Sequence, residues 1–111
     1  MIVSEFAQRL SLEPICTPDP SRRVEGAYTG DLLSWVMTRL KSDWVWVTIM
    51  DNVNVVAVAS LSDASCVILC ENAEPAAEVV EKALSQGINM FRTEKSTFQI
   101  SYEIGAILYG K

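Results

Sequence analysis

The chain has 111 residues, half of them apolar, a net charge of −5, three cysteines and no histidine. That length makes one domain with enough apolar side chain for a core, and the nine basic residues are too scattered to form the basic face that nucleic acid requires. Without histidine the usual general base and the commonest zinc ligand are gone, and no apolar run reaches the ~20 residues of a membrane helix.

In chain order, Val3, Phe6, Ala7 and Leu10 fall at i, i+3, i+4 and i+7, a short helix that Glu13–Pro14 ends. Ile15–Cys16 reads as a short strand, and "TPDPSRR" is turn chemistry. Val24 to Tyr28 reads as a strand or an extended loop. Asp31 is the expected N-cap of a helix reaching about Leu40, with Leu32, Leu33, Val36, Met37 and Leu40 as its apolar stripe. "WVWVTIM", residues 44–50, is apolar on both alternating sets, as in a strand covered on two faces. Trp44 and Trp46 fall on one of those faces and are expected in the core.

Residues 53–61 decide the fold class. As a third consecutive apolar strand they should show one polar face, and "NVVAVAS" shows none. As a helix they join strands 44–50 and 66–70 in a βαβ unit, with Asn52 or Asn54 as N-cap and Ala57 and Ala59 packed close to the sheet. Valine costs a helix only about 0.5 kcal/mol, a penalty burial overrides. Cys66 and Cys70 then share a face of one strand, about 13 Å apart at ~3.3 Å per residue, and cannot bridge. "ENAEPAAEVVEKALSQG" reads as a helix with Pro75 in its first turn and Gly87 as its left-handed stop. "INMF" is a short strand, and a last helix opens at Ser96 or Thr97 and closes near Gly110. The whole, residues 1–111, is expected to be a single α/β domain, a three-layer α/β/α sandwich with a mostly parallel central sheet.

In such sheets ligands bind beyond the carboxyl ends of the strands, beside helix N-termini that favour anions. Three corners qualify: Gly26, Thr29, Gly30 and Asp31; Thr48, Asn52 and Asn54; and Arg92, Lys95, Ser96 and Thr97. The last gathers two cations and two hydroxyls and is the best anion candidate. Turn and capping roles alone would also account for all three. No phosphate-loop lysine spacing or dinucleotide fingerprint is present. The apolar residues of the last helix go most of the way round it, so a partner chain, a homodimer, is expected.

"VEGAYTGDLLSWVM", "WVTIMDNVNVVAVASLSDASCVILCEN" and "EKALSQGINMFRTEKSTFQI" together resemble the DRTGG domain, from about Val24 to the end. The resemblance implies a layered α/β domain, similar in fold to the N-terminal domain of HPr kinase/phosphorylase, regulatory and without its own catalysis. Such domains occur alone, beside CBS pairs and inside some phosphate acetyltransferases. Stand-alone forms occur in anaerobic bacteria, some alongside iron hydrogenase genes. It also implies a helix at 53–61. The residues that match are Gly26, Gly30, Asp31, Thr48 and the Ser96–Thr97 pair. The string DRTGG itself is absent, and "MDNVN" stands after the 44–50 strand, so roles tied to those glycines or that arginine do not carry over.

The expectation is a cytoplasmic, non-catalytic regulatory or sensing domain that dimerises and binds a small anionic ligand such as a nucleotide. A protein-interaction module without a ligand is the alternative. No cofactor, metal, nucleic acid or membrane is expected. The start "MIVSEFAQRL" has no leader-like basic and apolar regions, and an odd, low cysteine count fits a reducing compartment.

Overall fold

A computed structural model describes residues 1–110. Its elements are α1 (Val3–Arg9), β1 (Glu13–Cys16), β2 (Gly26–Thr29), α2 (Leu33–Arg39), β3 (Trp44–Thr48), α3 (Val53–Ser62), β4 (Cys66–Leu69), α4 (Ala77–Gln86), β5 (Met90–Arg92) and α5 (Thr97–Tyr109). The five strands lie in the order β1-β5-β4-β3-β2. Four are parallel, and β1 runs antiparallel to β5 at one edge, with a register shift between Pro14 and Cys16. Proline and an irregularity suit an edge strand, which has no neighbour to donate to on its outer side.

Residues 53–62 are helical, so the segment is a βαβ crossover. The β2-β3-β4-β5 order advances one strand at a time, and α2, α3 and α4 all lie against one face. Their core includes Val36, Leu40, Val55, Val56, Ala59, Val79 and Ala83 over Trp46, Val67, Leu69 and Met90. The opposite face carries α1 and α5, through Val3, Phe6, Ala7, Leu10, Ile100 and Ile104 over Val45, Val47, Cys66, Ile68 and Phe91. Two-residue alternation along β3 and β4 thus fills two separate cores, which explains why those strands read as continuously apolar. Trp44 and Trp46 share the α2–α4 face, with Trp46 fully buried.

Several local expectations shift. The N-cap of α2 is Leu32, and no side chain caps that helix; Asp31 is used elsewhere. Val36 and Leu40 are buried, but Leu32 and Met37 are exposed, because α2 covers only the end of the sheet and has solvent on its outer side. Ala59 packs in the core while Ala57 faces out, so the helix presents 55, 56, 58 and 59 rather than both alanines. Asn52 caps α3 through the Asn54 amide. Pro75 precedes α4 instead of lying in its first turn, and Gly87 closes that helix at φ 72°. Strands β3 and β4 stop at Thr48 and Leu69, and β5 is 90–92 rather than 88–91. Gly26 sits where the Trp44 indole crosses its backbone; a Cβ there would lie 2.5 Å from the ring.

Candidate functional site

The two edges of the sheet differ in kind. At the amino edge four loops are stapled by polar side chains. Arg22 Nε donates to Asp43 Oδ1 at 2.9 Å, and its Nη2 donates to the Asp63 carbonyl at 2.6 Å and pairs with the Asp63 carboxylate at 2.7 Å. Ser42 Oγ donates to Asp63 Oδ2 at 2.6 Å. The Ser42 hydroxyl and the Arg22 guanidinium hold the Asp63 carboxyl below its ordinary range. Beside it the buried Asn89 amide donates to the carbonyls of Asp19 and Ser65, and its oxygen accepts from the Asp19 amide. Loops 17–25, 40–43, 63–65 and 87–89 are tied to one another in this way; a cavity of about 480 Å³, lined by Ala7, Leu12, Pro14, Thr17, Pro20 and Phe91 among others, lies to the side between α1, β1 and the 17–25 loop.

The carboxyl edge collects most of the residues singled out from sequence. Gly30, Asp31 and Thr48 form one unit. Trp46 Nε1 donates to the Gly30 carbonyl at 2.9 Å. Asp31 Oδ1 accepts from Thr48 Oγ1 at 2.6 Å and from the Ile49 amide at 3.0 Å. Asp31 therefore ties the end of β3 to the β2–α2 loop, and Thr48, fully buried, is committed to it. Gly26 is not part of this corner: it starts β2, at the amino edge. Thr29 points to the α5 side, where its hydroxyl meets Ser101 Oγ at 2.6 Å. Asn52 is spent on the α3 cap, and Asn54 is exposed in the first turn.

At the β5 end, Arg92 pairs with Glu74 and lies 3.7 Å from Glu13, while its Nε is buried without a hydrogen bond. Lys95 Nζ grips both oxygens of Glu103 at 3.0 and 3.1 Å. The Glu103 carboxyl is held below its ordinary range by Gln99 first and by Lys95. Ser96 Oγ accepts from the Gln99 amide, which caps α5, and Thr97 is its first residue. A cavity of about 280 Å³ opens here, lined by Ser11, Glu13, Asn72, Arg92, Thr93 and Lys95 among others. A second, of about 380 Å³, lies between the starts of α3 and α4 and includes Asn52, Asp51, Glu74 and Glu78 in its lining. The Arg92–Glu74 pair joins the walls of the two.

Sequence reasoning missed the β4–α4 loop. Glu71 and Asn72 both adopt left-handed backbone, φ 59° and 62°. Their amides donate to the carbonyls of Lys95 and Thr93 at 2.9 Å, locking this loop to the β5–α5 loop. The strand-end rule reaches this loop as it reaches the others. "CEN" holds no glycine or hydroxyl, however, and a left-handed glutamate has no sequence signature. Chemically the edge offers two cations, Arg92 held by exposed carboxylates and Lys95 by the half-buried Glu103, together with hydroxyl and amide groups mostly engaged internally. Among the described residues no group of three or more histidine, cysteine, aspartate and glutamate side chains is placed to hold a metal, and no helix is long and apolar enough to cross a membrane.

A sequence model of the DRTGG domain matches residues 14–107. No curated protein sequence matches the chain. A similar solved structure is that of the CBS and DRTGG domains of the regulatory region of Clostridium perfringens pyrophosphatase, complexed with its activator, diadenosine tetraphosphate. The two align with a TM-score of 0.70 and 16% sequence identity, over 88% of this chain and 43% of that one. The chain therefore spans less than half the length of that structure, and the likeness is one of fold.

Proposed function

The chain belongs to the DRTGG domain family, and from that premise we propose that it is a non-catalytic regulatory domain, active as a dimer, that responds to a small anionic ligand such as a nucleotide at the carboxyl edge of its sheet. The observation that carries this reading is the contrast between the edges. Arg22 and Asn89 spend the polar groups of the amino edge on ties between its loops, whereas the carboxyl edge opens a cavity beside two cations, Arg92 and Lys95. The similarity in fold to a nucleotide-activated regulatory region supports the ligand class.

Binding at this edge is an exchange. The acids that hold the two cations, Glu74 and Glu13 on Arg92 and Glu103 on Lys95, sit on different elements. A phosphate taking Arg92 would remove the side-chain tie of the β4–α4 loop to β5, leaving its two backbone bonds to the β5–α5 loop, and one taking Lys95 would remove the tie of that loop to Glu103 of α5. Such a ligand acts as a regulator only by its difference in affinity for the two arrangements. In a thermal-shift panel of nucleotides and phosphorylated metabolites at millimolar concentration, one compound raises the midpoint by several degrees, and Arg92→Gln removes most of that rise. No shift from any compound would defeat the ligand reading.

The protein-interaction alternative draws on a different observation. Phe98, Tyr102 and Tyr109 stand out from α5 at 80, 68 and 71% exposure. A chain that gives no shift but associates through that face would support it.

A further inference from the structure

Helix α5 buries Ile100 and Ile104 against the sheet. Turning 100° per residue, Phe98, Tyr102, Gly105 and Tyr109 gather on the opposite side, within about 60° of one another. Their spacing is four, three, four, the seam of helices that pack along their length. The outermost strip of this helix is thus apolar, in a chain whose net charge is −5.

Gly105 is the informative member. A glycine inside a helix loses stability relative to alanine, and such a loss has a reason when a Cβ would collide. Here a Cβ would have nothing within 4 Å. No atom of the described residues needs the space. The gap opens on a shallow groove of about 180 Å³ whose lining includes Ala27, Thr29, Ser101, Leu108 and Tyr109.

We infer that this space receives a second copy of the chain, through antiparallel packing of α5 on α5 about a two-fold axis between Tyr102 and Gly105. In that register Tyr102 of one copy seats on Gly105 of the other, and Phe98 of one meets Tyr109 of the other. Large meets small at the centre and aromatic meets aromatic at the ends, as a self-complementary isologous contact requires. The seam carries no carboxylate, so two acidic copies meet without opposing charges. Three aromatics of ~200 Å², each about three-quarters exposed, offer on the order of 400 Å² per copy. That is roughly half the ~800 Å² per partner of a standard interface, with the groove beside β2 supplying more. The association is therefore concentration-dependent. It deepens the dimeric part of the proposed function and is independent of the ligand.

Sedimentation equilibrium on the full chain tests it. The wild type dimerises as concentration rises through the micromolar range, and Tyr102→Glu is monomeric there. Gly105→Ala raises the thermal midpoint at dilution, because the helix gains and nothing clashes, yet weakens the dimer at least tenfold. In a mixture of Phe98→Cys and Tyr109→Cys under mild oxidation, the 98–109 cross-link forms faster than either like-with-like cross-link. A wild type still monomeric at several hundred micromolar overturns the inference, as does a dimer that survives Tyr102→Glu or a preference for like-with-like cross-links. A nucleotide thermal shift is read separately. A dimer through α5 with no shift leaves this inference standing and defeats the ligand reading; a shift from a monomer does the reverse.

Discussion

Glu71 and Asn72 occupy neighbouring left-handed positions for different reasons. Asparagine tolerates this region through local hydrogen bonding, whereas a glutamate there pays roughly 1–2 kcal/mol of steric strain. The conformation persists because both amides are fixed on the β5–α5 loop. Glu71→Gly is therefore expected to stabilise the chain by about 1 kcal/mol in urea denaturation, after part of the relief is offset by the greater freedom of glycine in the unfolded state. Asn72→Gly should change little. A loss of stability in Glu71→Gly would mean that the glutamate side chain holds the loop in some other way. The glycines divide similarly: Gly26 yields to the Trp44 ring, while Gly105 yields to nothing among the described residues.

At the level of elements, the helices differ in how their first turns are satisfied. α3 and α5 are capped by Asn52 and Ser96, as their sequences suggest, whereas α2 and α4 begin at Leu32 and Ala76 without side-chain caps. Ser96→Ala should cost about 1 kcal/mol by loss of the bond to the Gln99 amide, measured as a fall in the urea midpoint. An unchanged midpoint would show that the first turn of α5 is held by packing and by Lys95–Glu103 alone. Asp31, which reads as a cap, instead secures the end of β3. Helical character in 53–61 was legible because a strand so placed would need a polar face that "NVVAVAS" lacks. Its alanines were less legible: which of Ala57 and Ala59 faces the sheet depends on the angle at which α3 crosses, a tertiary quantity.

For the molecule as a whole, the amino edge is an electrostatic staple with a pH signature. The carboxyls of Asp63 and Glu103 are held below their ordinary range by Ser42 and Arg22, and by Gln99 and Lys95. Their contribution is present above the unfolded carboxylate range near 4 and is lost as pH falls through the lowered values. The urea midpoint should drop below about pH 4, and Asp63→Asn should drop less steeply while starting from a lower value at neutral pH. An equally steep acid limb in that variant would remove Asp63 from the account. On the alkaline side, burial pushes the Cys66 and Cys70 thiols up to about 12. Thiols that stay neutral in the fold ionise on unfolding, so stability declines as pH rises from about 8.5 toward 12.

The sequence alone determined the order of elements except β2, which it left open as strand or loop, the helix across 53–61, the mostly parallel two-faced sheet and the family. Each rests on apolar spacing, turn residues or motif strings that lie close together in the chain. Only the tertiary structure decided which polar groups meet at the sheet edge. Asp31 finds Thr48 across 17 positions and Arg92 finds Glu74 across 18. It also parted Gly26 from Gly30, bent Glu71 into a left-handed turn, and left Phe98, Tyr102 and Tyr109 facing out while Ile100 and Ile104 between them met the sheet. The physical reason is that periodicity records whether a side chain leaves water. Which neighbour it then meets is set by strand order and helix crossing, and these are properties of the assembled chain.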